Sequence, residues 1–420
     1  MKVLAVIIAH PLRKISGATN AGRELSIATA NLVDLELAIM WDRDEVFTIG
    51  KLKVWHVRCT NPLSAAASWL PRSALVPLYD SPIPKVIQKG DYDLVHIHNL
   101  IPAFAAERVA RACRRRNIPY VVSAHGFNEQ SRYAQLNGFG RFKSALADVA
   151  VMRPFRRIVK RAAAIFALSD CEGELLASLG VDDDRVHLVT NGVNEFYLEP
   201  PAPAEVVAVR EKFAIGFGPR LLFMGSLHAY KGVDVFLQSL RDVRGPFQAV
   251  VAGQFKSDDE RVSLLRKAGI DGGAVPRLVF TGAVSDEELR ALYHLTDLFV
   301  YPTRGDTFPL VVLEAMASGL PVVSTTVGGV PFVVGPEQGA LVPPGDPRAV
   351  ADAVNALLVD PERRRRMGES AKAKIRERFR WSASAERAVE GYRIVLERWR
   401  SSREKNQPSS EPSAGERAPC

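Results

Sequence analysis

The chain is poor in the features that would staple or anchor it. Its four cysteines, Cys59, Cys113, Cys171 and Cys420, lie scattered over 420 residues with no CxxC spacing. That pattern excludes a disulfide frame and a cysteine-based zinc site, and it fits reduced thiols. No apolar run reaches the roughly 20 residues that a spanning helix requires. The opening MKVLAVIIAH has one lysine and a short apolar run ending at His10-Pro11, so it is expected to form a buried strand and not a leader peptide. Short-period repeats are also missing. With 47% hydrophobic and 24% charged residues the composition is neither disordered nor fibrous. These absences together set the expectation of a soluble, cytoplasmic protein.

What is present is length, a positive balance and a doubled pattern. A chain of 420 residues exceeds one ordinary core, so two domains are expected. The formal net charge of +8 points to an anionic partner: a phosphorylated small molecule, nucleic acid or an acidic membrane surface. Short β-branched runs open two series, Val3 to Ala9 and Arg220 to Leu227. The first continues with DLVHIHN, PYVVSAHG, AIFALSD and RVHLVTNG, the second with QAVVAG, RLVFTG, DLFVYPT and PVVST. Strands apolar on both faces and separated by helices predict parallel sheets covered on both sides. The expected class is α/β, with two Rossmann-like, doubly wound domains facing across a cleft. The proline-rich NEFYLEPPAPAE marks an exposed join. The expected division is 1–198, a linker at 199–218, a second domain at 219–381, a helix at 382–400 that packs back on the first domain, and a disordered tail at 401–420.

One stretch carries an unusual pair of acids. In RGDTFPLVVLEAMASG, Glu314 stands inside an apolar run and Asp306 precedes it in the loop. Pro309 suits the first position of a helix, and Gly319 with Pro321 suits its end, predicting a helix from Pro309 to Ser318. The first amides of a helix lack internal partners and the dipole there is positive, so Leu310 and Val311 would offer free N–H groups to a phosphate. Asp306 and Glu314 would flank that anion and accept hydrogen bonds from hydroxyl groups on either side. The plainer account is a dipole-favoured acid and a turn cap. An unpaired carboxylate among apolar groups is costly, and that cost favours a site.

The run LVVLEAMASGLPVVSTTVGG, with an acid at the right distance before it, resembles the nucleotide-sugar signature of the family 4 retaining glycosyltransferases, which have the GT-B fold. DLVHIHN, SAHGF, ALSD, VTNGVN, FMGSLHAYKG, FTGAVSDEEL and GALVPPGD follow in the order that family shows, so the likeness covers most of the chain. It implies transfer of a sugar from a nucleotide diphosphate donor to an acceptor hydroxyl, with retention of configuration. The acceptor would be a glycan, a glycolipid or a small-molecule precursor, as in polysaccharide biosynthesis. Lys231 matches the family's diphosphate lysine, while Ser226 stands where the family has arginine. Gly225, Ser226, Lys231, Val284, Thr307, Phe308, Leu310 and Val311 would form the donor side. His125, Asp306 and Glu314 would be the catalytic set, with Glu314 on the ribose and Asp306 and His125 on the transferred sugar. Asp306 replaces the family's usual glutamate. Gly17, in Gly17-Ala18 where the family has Gly-Gly, would line the acceptor side. No metal and no cofactor beyond the donor are expected.

Other stretches are less telling. GATNAG has the spacing of a phosphate loop, but Arg23 and Glu24 stand where Lys and Ser/Thr are required. His96 and His98 share a strand face without a third ligand, which favours packing. VDDDRVH is expected to be a solvated turn. RACRRRN and MRPFRRIVKRAAA read first as solvated helix faces and second as a peripheral contact with anionic lipid at the inner face of the membrane. Nothing supports nucleic-acid binding. Two alternatives to a transferase stay open: a nucleotide-sugar-binding subunit with little catalysis of its own, and a glycoside hydrolase using Asp306 and Glu314.

Overall fold

The computed structural model describes residues 1–9, 17–61, 76–123, 125–127, 148–225, 227, 229–255, 257–270 and 278–405. Two separate sheets organise them. The first has eight strands in the order β3-β4-β2-β1-β5-β6-β7-β8. In chain order these are β1 (Lys2–Ile7), β2 (Asp34–Trp41), β3 (Glu45–Ile49), β4 (Leu52–Arg58), β5 (Leu94–His98), β6 (Tyr120–Ser123), β7 (Ala164–Ala167) and β8 (Val186–Leu188). All pairs are parallel except β3 with β4, which form an edge hairpin. The second sheet has six parallel strands in the order β11-β10-β9-β12-β13-β14. These are β9 (Arg220–Met224), β10 (Gln248–Ala252), β11 (Leu278–Gly282), β12 (Leu298–Tyr301), β13 (Val322–Thr325) and β14 (Gly339–Val342).

The helices of the first half are α1 (Gly17–Thr29), α2 (Ile83–Lys89), α3 (Ala103–Arg115), α4 (Arg153–Arg161) and α5 (Gly173–Ser178). Those that follow are α6 (Pro203–Lys212), α7 (Val233–Ser239), α8 (Asp258–Ala268), α9 (Asp286–Leu295), α10 (Leu310–Ala317), α11 (Val330–Val333), α12 (Pro347–Leu358), α13 (Pro361–Arg378) and α14 (Trp381–Lys405). Val3 to Ile8 of the central strand are essentially without solvent contact, as a strand covered on both faces must be.

The strand orders locate the cleft. From β1 the chain turns to β2 on one side and later to β5 on the other; from β9 it turns to β10 on one side and β12 on the other. At such a reversal the adjoining loops diverge and leave a crevice at the carboxyl ends of the strands. Each half therefore has one reversal point, β1/β5 and β9/β12.

Three local features differ from the sequence expectations. The join is not a bare linker, because α6 forms within it and packs on α9. GATNAG opens α1 and is helical, not a loop. The last helix runs to Lys405, five residues into the stretch expected to be unstructured, while 406–420 lie outside the described residues. That helix packs on α1, and its Trp381, Ala385, Ala388, Val389 and Tyr392 are buried in the core of the first half. The chain thus leaves the second half through α13 and finishes on the first.

Candidate functional site

The loop between β12 and α10 holds the acid pair's first member. Several bonds pin it. The Arg304 guanidinium forms a two-pronged ion pair with Asp234 at 2.7 and 2.8 Å, and Thr325 Oγ1 donates to the Thr303 carbonyl at 2.6 Å. Within this frame Asp306 Oδ2 accepts from Tyr301 Oη at 2.9 Å and from Lys231 Nζ at 2.5 Å. The structure therefore brings Lys231 and Asp306, expected on diphosphate and sugar, into one ion pair. Gly232, next to that lysine, has φ +79°, and a Cβ there would lie 1.9 Å from the Pro302 carbonyl oxygen. Only glycine lets this turn lie against the β12 loop.

The helix α10 begins one residue later than expected. Pro309 is its extended N-cap, with φ −73° and ψ 113°, and no side chain caps it. The first helical bond is from Val312 N to Pro309 O at 3.1 Å, so the amides of Leu310 and Val311 precede the ladder. Glu314, one turn further on, accepts from Tyr293 Oη at 3.2 Å. Burial pushes its carboxyl up to about 7, against the Tyr293 hydrogen bond, which pulls the other way. Leu310 is half-buried and touches the cores of both halves, and Val311 packs beside it. Val284 is half-buried in the loop before α9. Thr307 is buried. The Phe308 ring is a core group, lying 5.8 Å from Phe379 and 6.3 Å from Phe332 between centroids. Gly225 directly follows β9, its N–H donating to the Ala252 carbonyl at 3.1 Å. Ser226 lies outside the described residues.

Across the cleft the first sheet presents imidazoles. His96 makes hydrogen bonds through both ring nitrogens, to Tyr392 Oη at 2.7 Å and Ser123 Oγ at 2.8 Å. Its role is structural, as the sequence suggests. His98 differs: its Nδ1 shares a proton with His125 Nε2 at 3.0 Å, and the two rings stack at 5.2 Å. His125 has φ +48°, a left-handed backbone that is uncommon outside glycine. Its Nδ1 is buried and has no hydrogen-bond partner among the described residues. Burial lowers its pKa to about 4, with the Asn191 side chain acting in the opposite sense, and burial holds His96 and His98 far down as well. The stack is therefore neutral at physiological pH. Gly17 starts α1 at the same edge, is exposed, and has open space where a Cβ would stand.

Sequence reasoning passed over four groups. Glu172 is wholly buried, and its two oxygens accept from the amides of Phe127 and Leu168, both at 2.9 Å. It clamps the segment that carries His125 to the end of β7. Its neighbours in SDCEGE gave it the look of a solvated acid. Asn191, beside His125, reaches the Phe308 carbonyl at 3.5 Å, joining the two halves. Gly328 and Gly329 lie flat on the β12 loop, where a Cβ would stand 2.1 Å from the carbonyl oxygens of Asp306 and Thr307 respectively. No group of three or more His, Cys, Asp or Glu among the described residues has the arrangement to hold a metal ion.

Comparison with known proteins agrees with this architecture. Residues 218–360 match the model of glycosyl transferases group 1, and residues 38–195 that of glycosyltransferase family 4. A D-inositol 3-phosphate glycosyltransferase of Xylanimonas cellulosilytica is 32% identical over 323 residues, which is 74% of each chain. The alpha-D-kanosaminyltransferase of Streptomyces kanamyceticus is 28% identical, over 66% of this chain and 71% of its own. Among solved structures, a sucrose-phosphate synthase from Thermosynechococcus elongatus superposes with a TM-score of 0.75 at 21% identity, covering 95% of this chain and all of its own. Anabaena HepE in complex with UDP gives 0.71 at 19% identity, over 94% of this chain and 100% of its own. Two facing parallel sheets, an ion pair and an uncapped helix at one reversal point, and relatives of this kind lead to one assignment: the chain belongs to the family 4 glycosyltransferases of the GT-B fold.

Proposed function

We propose that this glycosyltransferase moves a sugar from a nucleotide diphosphate donor to an acceptor hydroxyl with retention of configuration, and that it uses no metal ion. The observation that carries the reading is the Lys231–Asp306 pair beside the uncapped start of α10. In the reaction the bond from the anomeric carbon to the diphosphate oxygen breaks. The bond to the acceptor oxygen forms on the same face, and the acceptor's proton passes to the departing phosphate. Charge grows on that phosphate, and the amides of Leu310 and Val311 with the Lys231 ammonium are suited to it. As Lys231 turns to phosphate it frees Asp306 for a hydroxyl of the transferred sugar. Glu314 would hold ribose hydroxyls. His125, neutral, would give or accept one hydrogen bond through Nδ1 from the other side. Closure of the halves about the join would exclude water.

One structural neighbour points to a uridine donor by what it binds: HepE structures contain UDP or UDP-glucose. Their identity to this chain, at 19%, leaves the base and sugar to experiment. No described helix is long and apolar enough to cross a membrane. We place the protein in the cytoplasm, with a peripheral contact to the inner face of the membrane as its finer location. The test is calorimetry and turnover with a panel of nucleotide sugars, with and without EDTA. At least one donor is expected to bind and to be slowly hydrolysed, with EDTA making no difference. Binding without turnover, even with acceptor extracts present, would turn the reading toward a binding subunit. Release of sugar from a plain glycoside with no donor binding would overturn it.

A further inference from the structure

On one face of the first sheet, α3 and α4 lie side by side, with α2 beside α3. Right-handed crossovers put this layer on the face away from α1, because β1 to β2 and β5 to β6 step in opposite directions. The segments 103–116 and 148–161 hold ten of the chain's 55 Lys and Arg and two of its 47 Asp and Glu. They carry a net +8, and the remainder, with 45 of each sign, is neutral. These two adjoining segments thus carry a net charge equal to that of the whole protein, and α13, with eight cations to three acids, is the other strongly basic helix.

The excess has a pattern. Phe104, Arg108, Arg111 and Arg115 are all exposed and spaced 0, 4, 7 and 11, one stripe of a helix. Val149, Arg153, Arg156 and Lys160 repeat that spacing along α4 and the π-helical turn Asp148–Met152 that leads into it. Each stripe thus begins with an apolar side chain and continues with three cations. Phe104 is 49% exposed and Val149 51%. Acids meet most of these cations: Glu107 and Asp80 from below, and the exposed Asp148 from the turn itself, where it also lies 4.0 Å from Arg153. Buried Glu107 takes Arg114 at 3.3 Å, Arg157 at 3.6 Å and Arg111 at 3.8 Å; Asp148 takes Arg156 at 3.1 Å; Asp80 takes Arg108. Arg115, Lys160 and Arg161 have no carboxylate within ion-pair distance among the described residues.

We propose that this double stripe is a docking surface for an anionic lipid bilayer. Cations alone would suit any polyanion, but a nucleic acid or acidic polysaccharide offers nothing to Phe104 and Val149. A bilayer offers headgroup phosphates to the arginines and an interfacial layer to the two apolar side chains. Both helices run away from the carboxyl edge of the sheet, since each leads into the start of the next parallel strand. Phe104 and Val149 therefore lie at the edge where His98 and His125 stand. A docked molecule would hold the acceptor side of the cleft toward the lipid, and on the transferase reading above this favours an acceptor anchored in that lipid.

The test is sedimentation of the full chain with phosphatidylcholine vesicles, with and without 40 mol% phosphatidylglycerol. Binding to the anionic vesicles is expected to exceed that to the neutral ones by at least about 50-fold and to weaken with salt. The triple variant Arg115→Glu, Lys160→Glu, Arg161→Glu should lose about 100-fold or more, at about five-fold per basic residue near the surface. Phe104→Ser with Val149→Ser should reduce vesicle binding several-fold and leave retention on immobilised polyphosphate unchanged. Equal binding to both vesicle types, or wild-type binding by the triple variant, would overturn the proposal. So would a Phe104/Val149 variant that binds vesicles as wild type does, which would make the face a site for soluble polyanions. Nucleotide-sugar binding by the variants serves as the check of fold. If vesicles bind and no nucleotide sugar does, the docking stands and the transferase reading falls.

Discussion

Over the carboxyl edge of the first sheet stand three imidazoles that burial keeps neutral; over that of the second stand an ammonium and two carboxylates. Apart from the antiparallel edge hairpin of the first, both sheets are parallel, and both reverse direction at their centre, so the backbone plan is shared. The difference lies in what each strand end must face. A diphosphate needs compensating charge and free amides, and the second half supplies both from loops held by Arg304–Asp234 and the glycines against them. The first half holds an imidazole nitrogen that is buried and, among the described residues, without a hydrogen-bond partner, in a ring flanked by the Asn191 side chain and suited to one directed hydrogen bond with a neutral hydroxyl. The same fold thus divides the work by charge, and each half can be perturbed without the other.

The largest effect is expected on the charged side. Lys231→Ala removes the only side-chain cation assigned to the diphosphate and should cut transfer by roughly 10²–10³-fold, with donor affinity falling as well. Asp306→Asn should behave differently, because Lys231 loses its carboxylate and keeps its charge. Donor affinity, read by calorimetry, should hold or rise a few-fold while kcat drops about 10²-fold for the lost sugar contact. If the two variants lose affinity equally, the pair is a structural salt bridge and not a donor device. On the neutral side, His125→Ala is expected to lower kcat by about 10²-fold and leave donor affinity intact. His98→Phe should have a smaller effect of the same kind, since it acts only by holding the His125 ring. A shift of the kinetic pH profile between pH 5 and 8 in His125 variants would contradict the neutral state assigned to this stack.

Much of this was legible in the sequence, and the rest was hidden for physical reasons. The doubly apolar strands, the capless helix after DLFVYPT and the acid inside LVVLEAMASG all carry local signals that one chain displays. The ion pair of Lys231 and Asp306 spans 75 residues and exists only because β9 and β12 are neighbours. His98 looked like packing because a strand shows only its own face; its contact with His125 comes from the loop after another strand. Glu172 could not be told from a surface acid, since its value lies in two amides, one of them 45 residues away. Phe308 shows the same limit from the other side: its ring packs in the core against Phe379, a contact that its place in the loop did not display.

The smallest expected effect is also the one that separates ribose binding from packing at Glu314. Its carboxyl titrates near 7 in the folded protein, against an ordinary value of 4.5. Below about pH 4.5 both folded and unfolded states hold the proton and the group contributes nothing. Between 4.5 and 7 the unfolded chain releases the proton and the folded protein keeps it, so stability falls as pH rises through that window. Above 7 the loss is complete, on the order of 1–3 kcal/mol once relaxation around a carboxylate is allowed for. Glu314→Gln removes this contribution, and urea unfolding at pH 5 and pH 8 should show a smaller fall in the variant than in wild type. Donor binding should run the opposite way, because ribose hydroxyls donate to the ionised carboxylate. Wild-type affinity should therefore rise several-fold from pH 6 to pH 8, while the glutamine variant is weaker and flat. Parallel affinity curves for the two proteins would leave Glu314 as a costly core acid held by Tyr293, and the ribose would have to be bound elsewhere.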